Sequence, residues 1–428
     1  MEIALNKISK IEGIIEVPAD KSITHRSIML SCVACGLSVV KNYLPSDDCK
    51  RTIAAFRQMG LKIKANNNML YVNGAGLKLS KPGSLKYEIF AGNSGTTARL
   101  VSGILAGQNF ETTITGDASL SKRPMNRITE PLSLMNVEIT SENGLLPLTI
   151  KGKNPLKAIN YKSDKASAQV KSAVLFAGLY ADGITSYEEP IKSRDHSERM
   201  LKAFGANVKE NGNLVSILPA DELIGREITV PGDISSAAFF IAAALLVPNS
   251  KLAIKNVGIN PTRDGIIEVL QKMGACINLV NIRENSGEPT ADIEVKYSQL
   301  KSANIDAEIV PRMVDEIPIF ALIATQANGT TKITGAKELR VKESDRIAAV
   351  SSQLSKLGAQ IEEFEDGFVI EGGTKLTGSC VDSFDDHRIA MTLAIASLIA
   401  NGKTIISNAQ CVDISFPNFY EILRKVCK

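Results

Sequence analysis

The 428-residue chain has no tryptophan, only 5% aromatic residues and three histidines, and its 49 basic and 46 acidic side chains leave a net charge of just +3. Without a basic excess or interleaved aromatics, it offers neither a counter-charge for a phosphate backbone nor a platform for stacked bases, so a nucleic-acid role is not expected. Long apolar runs are missing too. The longest, residues 237–247, falls well short of the roughly 20 residues needed to span a bilayer. The opening Met1-Glu2-Ile3-Ala4-Leu5-Asn6-Lys7 lacks a basic stretch leading into an apolar core, which predicts no secretion signal and a cytoplasmic protein. The seven cysteines are odd in number and scattered, which suits reduced thiols. Cys32-Val33-Ala34-Cys35 has redox or zinc spacing, but it has no second pair and lies in an apolar helical run. Buried structural thiols are expected there, and no metal site.

Length and repetition are what the chain does have. With 44% hydrophobic and 22% charged residues the composition is globular, and the length suffices for two domains. A polar cap opens an apolar helix near Ser22, Ser94, Ser167, Asp233, Asp315 and Asp386. A β-branched run follows, such as Thr112-Thr113-Ile114 or Thr330-Thr331-Lys332-Ile333. Then comes an amphipathic helix, stopping at Met59-Gly60, Met135-Asn136, Phe204-Gly205, Met273-Gly274 or Leu357-Gly358, and then a hairpin. The last amphipathic helix runs into the C-terminus, and residues 2–17 are expected to supply its hairpin. A period of roughly 70 residues is too long for a solenoid and predicts six α/β units, three per domain. Helices apolar nearly all round, such as 237–246 and 389–400, must be buried on every side. Passages between domains are expected near Ala19 and Pro231-Gly232. They give a discontinuous domain of 1–19 plus 231–428 and a second domain of 20–230.

The stretch Phe90-Ala91-Gly92-Asn93-Ser94-Gly95-Thr96-Thr97-Ala98-Arg99 reads as a helix start built to hold an anion. Asn93 or Ser94 is a natural cap, Gly95 permits close approach, and the N–H groups and helix dipole favour negative charge. The device recurs at Lys21-Ser22 with Arg26, at Ser167-Ala168-Gln169, at Asp233, at Asp315-Glu316 and at Asp386-His387-Arg388. Capping explains serine, asparagine and aspartate at these places. It does not explain Lys21, Arg26, Arg99 and Arg388. If the helix starts converge, a cleft between the domains becomes an anion trap. Ser121-Lys122-Arg123-Pro124 and Arg340-Val341-Lys342-Glu343-Ser344-Asp345-Arg346 open amphipathic helices, and Lys342 and Arg346 share a helix face.

Taken in order, these motifs resemble those of the 5-enolpyruvylshikimate-3-phosphate synthase family, and the resemblance runs through nearly the whole chain. It implies an inside-out α/β barrel of two domains, each of three βαβαββ units around buried central helices, closing over substrates in the cleft between them. It implies transfer of the enolpyruvyl group of phosphoenolpyruvate to the 5-hydroxyl of shikimate 3-phosphate, with release of phosphate and without a metal or organic cofactor. Glyphosate becomes an expected inhibitor and a monomer the expected state.

By the same resemblance, Lys21, Ser22, Arg26, Ser167, Ala168, Gln169, Ser193, Arg194, Asp315 and Lys342 should hold shikimate 3-phosphate. Phosphoenolpyruvate should lie against Lys21, Asn93, Gly95, Arg123, Gln169, Lys342, Arg346, His387 and Arg388, with Arg99 supporting the turn. Asp315 matches the family's base for the 5-hydroxyl and Glu343 its carbon acid, while Lys21 would offset charge on the intermediate. The chain departs from the pattern at Ala19, where glycine is expected, at Ala168, where some members have serine, and at Ile414, where some have a lysine that reaches phosphoenolpyruvate.

Two other readings compete. The transferase acting on a UDP-linked aminosugar should carry a reactive cysteine where this chain has Ala118, and Lys-Asn in place of Lys21-Ser22. A non-catalytic scaffold for phosphate or RNA ends would explain the cations but not Asp315 and Glu343 at matching helix starts.

Overall fold

A computed structural model describes residues 1–79 and 86–428 of the protein. The six apolar stretches are core helices: Lys21–Val33, Gly95–Ala106, Ala168–Gly178, Ile234–Leu246, Ile317–Gln326 and His387–Ser397. Side chains cap five of them. Asp20, Ser94, Ser167, Asp233 and Asp386 each accept a hydrogen bond from a first-turn N–H, satisfying a donor that the helix itself leaves open. The fifth core helix differs. Its cap position is Glu316, which makes no capping bond, and Asp315 stands one residue further outside the helix. Of the Ile234–Leu246 helix only Leu246 is not buried, as expected of a helix with no polar face.

Amphipathic helices occupy the alternate positions: Asp47–Gln58, Asn126–Leu134, His196–Ala203, Gly265–Lys272, Arg346–Lys356 and Phe419–Val426. The first five end in the same way. Gly60, Asn136, Gly205, Gly274 and Gly358 take φ of 93°, 67°, 98°, 93° and 97°, the left-handed C-terminal stop that glycine and asparagine adopt most cheaply.

The chain divides into two compact units. An inserted unit comprises Ala19–Val230 with Glu284–Glu288, and a terminal unit comprises Met1–Pro18, Pro231–Arg283 and Pro289–Lys428. The excursion at 284–288 has no counterpart in the sequence reading, since nothing local marks it.

The inserted unit holds the first three core helices and three four-stranded sheets. Two of its core helices touch backbone to backbone, for a Cβ on Gly103 would lie 2.2 Å from the Ala173 carbonyl oxygen. Glycine is required there by the approach, not by a turn. Cys32 is buried in this core, but Cys35 begins the strand Cys35–Lys41 and is exposed, which corrects the expectation of two buried thiols. The helix ends at Val33, before the second cysteine.

The terminal unit holds the other three core helices and sheets of four, three and three strands. Its N-terminal segment does not form one hairpin. Ile3–Asn6 pairs antiparallel with Lys403–Ser407 in the last sheet, whereas Glu12–Glu16 pairs parallel with Lys251–Gly258 in another. The segment therefore ties two sheets together. In the inserted unit Glu227–Thr229, at the far end of the unit's sequence, likewise pairs parallel with Cys35–Lys41.

Candidate active site

In the inserted unit, polar groups gather at the N-terminal ends of the core helices. Lys21, the first residue of its helix, places Nζ 3.0 Å from Asp48 Oδ2. Arg26, one turn further on, is 3% exposed, and its guanidinium donates to Ser197 Oγ and Ser172 Oγ, both at 2.7 Å, and to the Ser22 carbonyl at 3.1 Å. Burial among neutral hydroxyls pulls its pKa down to about 10, although carboxylates further off oppose the shift.

At the second core helix the cap is Ser94, and Asn93 has another partner. Arg123 donates to Asn93 Oδ1 at 2.6 Å and to Ser119 Oγ at 3.1 Å. The turn already uses three of its own N–H groups, Ser94 to the Ala91 carbonyl, Gly95 to the Asn93 carbonyl and Thr97 to Ser94 Oγ, so fewer are available to an anion than the sequence suggested. Arg99 lies beneath the turn and donates to Gln169 Oε1 at 2.7 Å, while Gln169 donates to Thr96 Oγ1 at 3.3 Å. This joins the second core helix start to the third, where Ser167, Ala168 and Gln169 are half-buried. A Cβ on Gly95 would sit 3.3 Å from Arg99 NH1. A chain of hydroxyls continues inward from Ser94 Oγ to Thr97 Oγ1, Thr52 Oγ1 and His25 Nδ1, each step 2.7 Å. His25 is fully buried, and desolvation holds its pKa near 3, so the ring is neutral.

Ser193 and Arg194 lie just before the His196–Ala203 helix, Ser193 buried and Arg194 half-buried. Among the described residues Ser193 Oγ has no hydrogen-bond partner.

In the terminal unit the site residues cluster on Arg346, the first residue of its helix and 1% exposed. Nε donates to Asp386 Oδ2 at 2.9 Å, NH2 to Glu343 Oε2 at 2.7 Å, and NH1 lies 3.4 Å from Asp315 Oδ1. Desolvation works against the cation, but the Glu343, Asp386 and Asp315 charges outweigh it and raise the pKa above its ordinary value. Burial acts to raise the Asp386 carboxyl, yet Arg346 holds it below the usual range. Arg388 NH2 stands 3.7 Å from Asp315 Oδ2, and Lys342 Nζ donates to Glu338 at 3.1 Å. His387 is 2% exposed. Arg346 and His387, both assigned by resemblance to phosphoenolpyruvate, are thus buried here, and the Arg346 fork is filled by carboxylates of its own chain. Ile414 ends the 3-10 helix Ala409–Ile414 and is 42% exposed.

Three groups escaped the sequence reading. Asp48 pairs with Lys21. Arg263, 3% exposed, donates to Ser235 Oγ at 2.6 Å and lies 3.4 Å from Asp233 and 3.6 Å from Glu316, linking the starts of the fourth and fifth core helices. Lys171, Glu189 and Glu198 form a buried ion cluster. A lysine inside Val170-Lys171-Ser172-Ala173-Val174-Leu175-Phe176 was the available signal, because an unpaired ammonium does not stay in a core. No helix among the described residues is long and apolar enough to cross a membrane.

Residues 5–423 match the family described as EPSP synthase (3-phosphoshikimate 1-carboxyvinyltransferase). The chain belongs to the EPSP synthase family. Within it, the chain is 69% identical to the 3-phosphoshikimate 1-carboxyvinyltransferase of Endomicrobium trichonymphae, with 100% of both chains covered. It is 50% identical to the enzyme of the same name from Desulforamulus reducens, covering 100% of this chain and 99% of that one. Among solved structures, an EPSP synthase from Acinetobacter baumannii superposes with a TM-score of 0.90 at 43% identity, covering 100% of this chain and 98% of that one. The six-fold repeat of core helices is therefore the family's two-domain α/β fold.

Proposed function

We propose that the chain transfers the enolpyruvyl group of phosphoenolpyruvate to the 5-hydroxyl of shikimate 3-phosphate and releases phosphate. The observation that carries this reading is the arrangement on Arg346. One guanidinium holds Asp315 on one nitrogen and Glu343 on another, so two carboxylates of different exposure are fixed near each other, as a reaction needing both a base and an acid requires.

Asp315 takes the 5-hydroxyl proton as that oxygen forms its bond to C2 of phosphoenolpyruvate. Glu343 delivers a proton to C3, which makes C2 electrophilic. The tetrahedral intermediate then returns the C3 proton, and the C2–O bond to phosphate breaks. Lys21 offsets the charge on the phosphate as it leaves. Lys21, Ser22, Arg26, Ser167, Ala168, Gln169, Ser193, Arg194 and Lys342 hold shikimate 3-phosphate. Asn93, Gly95, Arg123, Gln169, Lys342, Arg346, His387 and Arg388 hold phosphoenolpyruvate.

Glu343 accepts a hydrogen bond from the buried Arg346 guanidinium, a contact it gives up to reach a substrate carbon. The carboxylate of phosphoenolpyruvate is the natural competitor for that guanidinium, because arginine binds carboxylates through two parallel hydrogen bonds. Donor binding then both anchors the substrate and releases the acid. The same reading has the enzyme working as a cytoplasmic monomer on small anions, with no nucleic-acid partner. The sequence of the aminosugar branch is not matched at Ala118 or Ser22, which favours the shikimate reading over that alternative.

A coupled phosphate-release assay tests the proposal. Phosphate should appear only when both phosphoenolpyruvate and shikimate 3-phosphate are present. Calorimetric binding of both without turnover would leave only a scaffold.

A further inference from the structure

Lys171 is the fourth residue of the Ala168–Gly178 helix, one turn in from Ser167. Its side chain is 1% exposed, as are those of its partners Glu189 and Glu198. All three ammonium protons have acceptors: Glu189 Oε1 at 2.8 Å, Glu198 Oε1 at 2.7 Å and the Ser193 carbonyl at 3.1 Å. Glu189 Oε1 also accepts the Ser193 N–H at 2.8 Å. The Ser193 residue is thus gripped through its own N–H and its own carbonyl by one buried ion cluster.

Stability is a poor explanation for such a device. Each buried ion costs several kcal/mol of lost hydration, and well-packed apolar side chains would often serve the core as well or better. Burial pushes the Glu198 carboxyl up despite the adjacent ammonium, whereas burial opposes the Lys171 ammonium and the two carboxylates still hold it above its ordinary value. What the cluster does supply is geometric definition. It ties the first turn of the Ala168–Gly178 helix to the loop before the His196–Ala203 helix. A second tie runs alongside it: Ser172, next to Lys171, and Ser197, next to Glu198, share a 2.6 Å hydrogen bond, and Arg26 donates to both. Between these ties the buried Ser193 Oγ has no hydrogen-bond partner among the described residues, although buried hydroxyls are nearly always bonded. An oxyanion would complete it.

We infer that Lys171, Glu189 and Glu198 are positioning residues for shikimate 3-phosphate, fixing Ser193-Arg194 against Ser167-Ala168-Gln169 so that both segments meet the same substrate. The inference rests on the reading that Ser193 and Arg194 bind that substrate. Binding groups left about 1 Å loose lose much of their effect, so the cluster's contribution should appear in substrate affinity.

The experiment compares Lys171→Met, Lys171→Arg and Arg194→Gln in steady-state kinetics with both substrates varied. Lys171→Met should raise KM for shikimate 3-phosphate about tenfold or more, with a much smaller change in KM for phosphoenolpyruvate, and Lys171→Arg should recover most of the loss. Equal rises in both KM values, or a fall in kcat with both KM values unchanged, would overturn the inference and leave a purely structural role. If Arg194→Gln raises KM for shikimate 3-phosphate while Lys171→Met does not, the inference alone fails. If Arg194→Gln has no effect, the assignment of the loop fails first and the inference with it. Should Lys171→Met not fold, Lys171→Met/Glu189→Gln/Glu198→Leu leaves no unpaired ion in the core and reads the same KM split.

Discussion

Each unit buries an arginine at the start of its binding groups, and the two are treated in opposite ways. Arg26 of the inserted unit is held by serine hydroxyls and a carbonyl, and burial lowers its pKa to about 10. Arg346 of the terminal unit is held by Asp315, Glu343 and Asp386, whose charges raise its pKa despite equal burial. A cation whose hydrogen-bond partners are all neutral is compensated only by carboxylates further off, which leaves more of its charge for an anionic ligand. A cation among carboxylates is already compensated, and it serves instead to fix and exchange them. On the proposed function, the inserted unit would hold a phosphate and the terminal unit would manage protons.

Removing each arginine tests the contrast most severely. Arg346→Gln removes the guanidinium that Glu343 and the buried Asp386 share, leaving Arg388 beside Asp315, and should cost about 3–5 kcal/mol of stability. Arg26→Gln leaves only hydroxyls and a carbonyl, and should cost about 1–3 kcal/mol. Chemical denaturation of both variants checks the order, and equal losses would erase the distinction. The functional signs should also differ, with Arg26→Gln acting chiefly on KM for shikimate 3-phosphate.

The next largest effect belongs to proton delivery. Glu343→Gln keeps size and can still bond Arg346, but it carries no transferable proton, so kcat should fall roughly 100-fold while KM for shikimate 3-phosphate changes little. Solvent exchange of the phosphoenolpyruvate methylene hydrogens should fall in step. Exchange at the wild-type rate would move the acid to another residue and remove the proton-handling half of the comparison.

Acid sensitivity should separate the units more gently. His25 titrates near 6.5 when unfolded and near 3 when buried, so the unfolded chain binds the extra proton between those values. The stability tied to neutral His25 is complete above about 6.5 and is lost as pH falls, at about 1.4 kcal/mol per pH unit. Asp386, held below its ordinary 3.8 by Arg346, contributes stability that persists at and above that value and is lost only lower. His25→Gln should accordingly flatten the fall in melting temperature between pH 6.5 and 4. An unchanged slope would place the acid response of that interval elsewhere.

Much of the fold was legible because its signals are local. Capping, apolar periodicity and the left-handed stops at Gly60, Asn136, Gly205, Gly274 and Gly358 are settled within a few residues of chain, and each recurs often enough to expose the six-fold plan. Cys35 was misread because a spacing of two intervening residues says nothing about where a helix gives way to a strand.

By itself, then, the sequence determined the repeat, the core helices, the chemistry concentrated at their starts and, through its ordered motifs, the family. Tertiary structure alone decided which strand of the N-terminal segment joins which sheet, since pairing partners such as Ile3 and Ile406 lie at opposite ends of the chain. It alone decided that Arg346 is saturated by carboxylates while Arg26 is not, and that Lys171 reaches the Ser193 loop. Those outcomes depend on which groups burial brings within hydrogen-bond distance, because the worth of a buried charge is set by its partners and its distance from water rather than by its place in the sequence.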